Sequence, residues 1–363
     1  MKFQCSTSVL RDAVQMIASV CPSKTTLPIL SNIFVSAESG ALTLMGTDLD
    51  ISMRTSVAAD VGKAGETTVP ARILLDALRR MNAETLTVTV DEMNVMTLRA
   101  GDKVQCSLRG MMPGDFPHFP KLENADAISL PAKDLNEMLR YTSYAVSRDE
   151  TRYVLNGVCF NFAERFEVVA TDGRRLAKYS AAAIKREEAR QLIIPSKSIG
   201  QMQQMLVGGD PVELRFSANQ LELTLKQTQL VTRLIDGHYP NYAQVIPKTC
   251  QHAINVNRRA LQDAIGLASV VTEKHKLAVV RIGLQKNQML INASTADIGD
   301  VKDVIEVKYG GDDIDMSFNP IFLLDVAQNV DGDEIIFELT NATSPIVLRV
   351  GEQFLCVIMP LRM

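Results

Sequence analysis

Apolar residues spaced three and four apart predict six amphipathic helices, over 6–20, 71–81, 131–146, 195–207, 255–271 and 319–330. The second and fourth carry proline at the start, Val69-Pro-Ala-Arg and Ile194-Pro-Ser-Lys, where a missing N–H costs nothing. Between the helices the pattern changes to alternation, as in Leu86-Thr-Val-Thr-Val90 and Leu221-Glu-Leu-Thr-Leu225, which predicts strands with one buried face. Helix, strands, helix, strands recurs along the chain. Paired helices against antiparallel hairpins predict an α+β fold.

The pattern repeats with a nearly fixed period. Thr47-Asp48 closes one apolar run, Thr171-Asp172 closes another 124 residues later, and Thr295 lies 124 beyond Thr171. Pro70, Pro195 and Pro320 are spaced by 125, and Leu10, Leu135 and Leu261 by 125 and 126. Gly114-Asp-Phe-Pro117 matches Gly237-His-Tyr-Pro240 at an offset of 123. A sustained period of this kind marks tandem copies of one unit. Three domains are expected, over 1–120, 121–248 and 249–363, with proline-bearing linkers at 116–122 and 246–251.

Composition narrows the class. With 46% hydrophobic and 22% charged residues among 363, the chain has material for packed cores. No apolar stretch reaches the ~20 residues of a membrane-spanning helix, and the N-terminus lacks the apolar core of a secretory signal. Six cysteines, at 5, 21, 106, 159, 250 and 356, form no C-x-x-C pair and read as reduced residues of a cytoplasmic protein. There is no tryptophan, which argues against base-stacking recognition of single strands.

The motifs of catalysis are absent. No phosphate-binding glycine loop, no G-x-S-x-G elbow and no H-E-x-x-H occurs, and His118, His238, His252 and His275 are scattered. Thr47-Asp48-Leu49-Asp50 leaves an opening for an enzyme, because two carboxylates at a strand end suit a Mg²⁺-dependent nuclease or nucleotidyltransferase. The repeat weighs against it: Asp172 replaces Asp48 in the second copy, but Ala296 stands there in the third. A turn-forming carboxylate explains the pair without metal. No catalytic residue, metal or cofactor is therefore expected. Net charge is −4, yet the six helices carry nine basic residues, Arg72, Arg79, Arg80 and Lys197 among them, against six acidic ones. A basic helical face and an acidic remainder follow.

Six segments together resemble the bacterial DNA polymerase III beta subunit family, the replicative sliding clamps. They are Thr26-Leu-Pro-Ile-Leu-Ser-Asn32, Gly46-Thr-Asp-Leu-Asp50, Thr151-Arg-Tyr-Val-Leu-Asn-Gly157, Val169-Ala-Thr-Asp-Gly-Arg-Arg-Leu-Ala177, Asp236-Gly-His-Tyr-Pro-Asn-Tyr242 and Met359-Pro-Leu-Arg-Met363. The resemblance implies a non-catalytic processivity factor of DNA replication. It also implies a head-to-tail homodimeric ring around duplex DNA, helices lining the hole and sheets outside. A ~120-residue domain is roughly 35 Å across. By the same estimate six in a ring leave a hole of about 35 Å, wide enough for a duplex, whereas three do not. A protein-only scaffold built from the same repeats is the remaining rival.

The resemblance further implies residue roles. Lys24, Arg72, Arg148, Arg152, Tyr153 and Lys197 fall near DNA, with Arg79 and Arg80 added by the helix charge. Asp149 and Glu150 stand where an uncharged polar contact is usual. A partner-peptide pocket between domains two and three is matched by Leu155, Thr171, Gly173, Arg174, Arg175, Leu176, Pro240, Gln244, Val245, Asn319, Phe322, Val357, Met359, Pro360, Leu361 and Arg362. Arg174 replaces a common histidine and Gln244 a common arginine, so partner preference is expected to differ. In the dimer, the edge strand with Val104, Cys106 and Leu108 is expected to face the helix end at Val270 and Val271. Implied partners are a second copy of the chain, duplex DNA, the replicative polymerase catalytic subunit, the clamp loader and other proteins with the same docking motif.

Overall fold

A computed structural model describes residues 1–123, 125–181, 190–272 and 278–362. His275 and Met363, both named above, lie outside the described residues. All six helices form within a few residues of the expected spans: α1 (Thr7–Ala18), α2 (Ala71–Arg80), α3 (Ala132–Thr142), α4 (Ser196–Met205), α5 (Arg258–Thr272) and α6 (Pro320–Asn329). Each buries an apolar stripe, such as Leu10, Ala13, Val14 and Ile17 of α1. Burying each of the larger ones, Leu10, Val14 and Ile17, contributes about 1.5–3 kcal/mol.

The chain divides into two compact units, Met1–Asn136 with Lys197–Leu234, and Glu137–Ser196 with Ile235–Met363. These units cut through the middle repeat. The cause is strand pairing across repeat borders. In the first unit, strand Ile51–Ala58 of repeat one pairs antiparallel with Thr228–Arg233 of repeat two, fusing two sheets into one of eight strands. In the second, Arg175–Ser180 of repeat two pairs with Phe354–Ile358 of repeat three and makes another eight-stranded sheet. A five-stranded sheet completes the first unit and a four-stranded sheet the second. Val104–Arg109 is an outer strand of the five-stranded sheet, and Gly299–Glu306 an outer strand of the four-stranded one.

Helix and sheet approach closely in repeat one because Gly46 has no side chain. A Cβ there would stand 2.8 Å from both the Cys21 sulfur and a methyl of Ile17. The six cysteines are unpaired, and burial pushes the thiols of Cys21 and Cys356 up to about 12, so they serve as small apolar residues. No helix among the described residues is long and apolar enough to cross a membrane.

Candidate functional site

The second unit carries the most elaborate side-chain cluster, centred on Arg175. This residue opens a strand whose register is fixed by Arg175 opposite Ile358 and Leu176 opposite Val357. Its guanidinium donates from Nε to Asp172 (3.1 Å), from Nη1 to Asp325 of α6 (2.6 Å) and from Nη2 to the Tyr144 carbonyl (2.7 Å). It also lies over the rings of Phe322 (4.5 Å) and Tyr144 (5.3 Å). Burial raises the Tyr144 phenol well above its ordinary range, so it stays neutral behind the arginine. Arg175 therefore lines the groove from within rather than as an open surface group. It is buried, 8% exposed, and its donors are committed to an internal ion-pair network.

Beside this hub opens a cavity of about 480 Å³. Arg174, Arg175, Asn319 and Phe322 of the expected pocket line it, and so do Arg148 and Arg152 of the expected DNA set. The two groups of residues meet in one place, which the sequence reading kept apart. Asn319 caps α6 by accepting from the Ile321 N–H at 3.0 Å. Gly173 has a φ of +84°, which lets the turn after Asp172 bend with the Arg152 guanidinium close above it.

The apolar members divide into buried and exposed ones. Leu155, Leu176 and Val357 are at most 8% exposed and belong to a core cluster with Tyr239, Tyr242, Val169 and Leu355. They are packed inside this cluster and do not line the 480 Å³ cavity, because strand pairing turns them inward. Pro240, Gln244, Val245, Met359 and Arg362 are exposed, with Thr171, Pro360 and Leu361 half-buried. Two backbone bonds hold the terminal segment in place. Met359 donates to the Arg174 carbonyl (3.0 Å) and Leu361 to that of Ser317 (2.7 Å). Behind Pro240–Val245, Tyr242 donates to Glu167 (2.5 Å), which also accepts from Lys178 (2.7 Å) and Ser180 (3.1 Å). Burial works against the ionised Glu167, but these donors outweigh it and hold the carboxyl below its usual range.

Of the basic residues expected near DNA, Lys24, Arg72, Arg80 and Arg148 are exposed and have no ionic partner among the described residues. Tyr153 is exposed as well. Arg79 bonds Gln15 (3.2 Å) and pairs loosely with Asp76 (3.8 Å). Lys197 is ion-paired with Asp48. Asp149 proves to be a cap: it accepts from the Thr151 N–H (3.0 Å) and hydroxyl (2.7 Å), bonds that hold its pKa down, and it faces Arg152 at 3.6 Å.

The proposed metal carboxylate is likewise a turn residue. Asp48 Oδ1 accepts from the Asp50 (3.0 Å) and Ile51 (2.7 Å) N–H groups while Oδ2 takes Lys197. Asp172 repeats this with Arg174 and Arg175 (2.9 and 3.0 Å). Among the described residues no cluster of His, Cys, Asp and Glu could hold a metal ion.

For the expected dimer residues, Val104 and Val270 are well exposed, and Cys106 and Val271 are half-covered. Leu108 is corrected: the inward face of its strand is covered progressively towards that end, leaving it 9% exposed within its own chain. The sequence reading missed Ile73 of α2 and Leu267 of α5, both exposed. Leu267 was findable, since it shares a helical stripe with Val270 and Val271.

Fold and site together define a protein built from three tandem repeats, with a groove at one repeat junction. Family models for the DNA polymerase III beta subunit match its N-terminal domain at 1–120, its central domain at 129–241 and its C-terminal domain at 243–362. The chain belongs to this family, the sliding clamps, which are non-catalytic processivity factors of DNA replication. Beta sliding clamps of Haemophilus influenzae and Escherichia coli are each 27% identical over the whole of both chains. The Bacillus subtilis DNA polymerase sliding clamp superposes with a TM-score of 0.93 at 27% identity, covering 100% of this chain and 99% of that one. The Pseudomonas aeruginosa DNA polymerase III subunit beta gives 0.92 at 27% identity over all of both chains.

Proposed function

We propose that two copies of the chain close head to tail into a ring around duplex DNA. The groove beside Arg175 tethers the replicative polymerase, the clamp loader and other DNA-handling proteins through short peptides. The carrying observation is the pair of unpaired outer strands. Strands 51–58 and 175–180 are repeat equivalents that pair with 228–233 and 354–358 at the two internal junctions. The third equivalents are Gly299–Glu306 and Val104–Arg109, which have no such partner among the described residues. Carrying Thr55 opposite Thr228 forward by the repeat offsets puts Val104 opposite Asp303. Carrying Arg175 opposite Ile358 forward puts Leu108 opposite Gly299, which is the same register. Exposed strand edges are normally covered, and a second copy covers both. Exposed Ile73 would then meet Leu267 and Val270, as α1 meets α4 through Ser19 and Gln201 at the first junction.

On this register Cys106 faces Val301. Val301→Cys should therefore form an intermolecular disulfide with native Cys106 and run at twice the chain mass on a non-reducing gel. Loaded onto nicked circular DNA by the clamp loader, the protein should stay bound and be released when the DNA is linearised. Monomer alone after oxidation overturns the register, and equal loss from circular and linear DNA overturns the ring.

A further inference from the structure

We propose that the first repeat junction holds a binding site of its own, for a small neutral aromatic molecule with a phenolic hydroxyl, in an open cavity of about 1180 Å³. The second junction shows what fills the equivalent space. There Tyr141 packs edge-on against Tyr179 (5.3 Å) and Phe354 (5.0 Å), and the Tyr179 hydroxyl donates to Glu137 at 2.8 Å. The strand registers fix the equivalence: Thr55 lies opposite Thr228 as Tyr179 lies opposite Phe354. The helix offset of 125 takes Tyr141 to Met16 and Glu137 to Asp12. Met16, Thr55 and Thr228 thus stand in the places of three rings, and Met16, Thr228 and Asp12 all line the cavity. Space that the second junction packs with its own side chains is left open at the first.

The walls suit such a molecule. Met205 and Leu225 are buried and Met16 and Leu75 half-buried, so a ring entering the cavity meets apolar and sulfur contacts. Asp12 offers a carboxylate where Glu137 accepts a phenol at the second junction. Arg11 takes its Oδ1 at 3.3 Å, and Oδ2 has no partner among the described residues, so it can accept from a ligand. The rim mixes Arg72 and Arg79 with Asp12 and Asp76. A charged head would meet both signs there, which favours a neutral donor. Residues of α1, α2, the end of α4 and the 225–228 turn wall the cavity, which suits a compact molecule rather than an extended peptide.

NMR of the full chain with isotope-labelled methionine methyl groups tests this. The probes are para-benzylphenol, whose two rings stand at a steep angle, and its hydroxyl-free counterpart diphenylmethane. Titration with para-benzylphenol should shift the Met16 and Met205 signals, with a dissociation constant on the order of 100 μM. Diphenylmethane should bind roughly three-fold more weakly, and Asp12→Ala should erase that difference. Met16→Tyr restores a ring of the second junction; it should weaken binding about ten-fold and raise the midpoint of urea unfolding. Thr228→Phe should do the same from the opposite wall, so a folding failure of either variant leaves the other as the test. Shifts at Met359 alone, or no shift at millimolar probe, overturn the proposal, as does undiminished binding by the filled variants.

Discussion

The two internal repeat junctions share a backbone plan and differ in nearly every side chain that crosses them. At the first, the antiparallel ladder carries hydrogen bonds without an ionic network, Thr55 to Thr228 (2.8 Å) and Arg54 to Gln229 (2.5 Å), plus the pair of the exposed Lys197 with the covered Asp48. At the second, Arg175 stands where repeat one has Ile51, Asp325 where α4 has Gly200, and Phe322 where it has Lys197. The helices differ in the same sense. Arg140 of α3 reaches the Asn329 carbonyl (2.8 Å) and pairs with Asp331, while Tyr141 packs edge-on against Phe354 at 5.0 Å. Their counterparts Gln15 and Met16 make no such bridge and line an open cavity of about 1180 Å³. One ladder thus supports two designs. The first junction is a plain joint, and the second is an electrostatically locked one whose lock frames a groove.

The sharpest way to break this contrast is Arg175→Ala. It strands Asp172 and Asp325, both largely covered, without their common cation. Removing one member of such a network costs about 3 kcal/mol. The loss should appear as a lower midpoint in urea unfolding and as loss of peptide affinity, because Phe322 and the Asp172 turn lose their shared support. An unchanged midpoint would show that the strand ladder alone holds the junction.

The repeats were legible because apolar spacing and turn residues recur at fixed offsets. The helices formed where Pro70, Pro195 and Pro320 predicted them. The lock was not. Arg175 and Asp325 are 150 residues apart, and only strand pairing across a repeat border brings them together. A residue pattern reports periodicity along one element and says little about which edges meet. For the same reason the compact units divide the middle repeat although the sequence period treats it as whole. The resemblance assigned Leu155, Leu176 and Val357 to the groove, but the sequence did not show that they are buried in the core. Alternation gives the face of a strand, whereas depth depends on what packs over it.

A smaller effect separates the groove's rear wall from its lock. Glu167 is held below its ordinary pKa of 4.5, so its contribution is fully present above that value and is lost as pH falls through the depressed folded value. At neutral pH, Glu167→Gln should cost about 1–3 kcal/mol, since the charge-assisted bonds from Lys178 and Tyr242 go. Below pH 4.5 the variant and the unmodified protein should converge in urea titrations. A gap that persists undiminished in acid would place the network's value in packing rather than charge.

The smallest expected effect lies at the first junction, and it completes the comparison. Lys197 pairs with Asp48, but its side chain is 61% exposed and solvent screens the attraction. Asp48 also keeps its two backbone donors when the lysine is removed. Lys197→Ala should therefore cost no more than about 1 kcal/mol in unfolding experiments. Retention on circular DNA should nonetheless fall and become less salt-sensitive if this cation also meets phosphate, since one counterion fewer is released on binding. A large stability loss from Lys197→Ala, comparable with that of Arg175→Ala, would mean that the first junction too is locked by its ion pair, and the contrast between the two designs would fail.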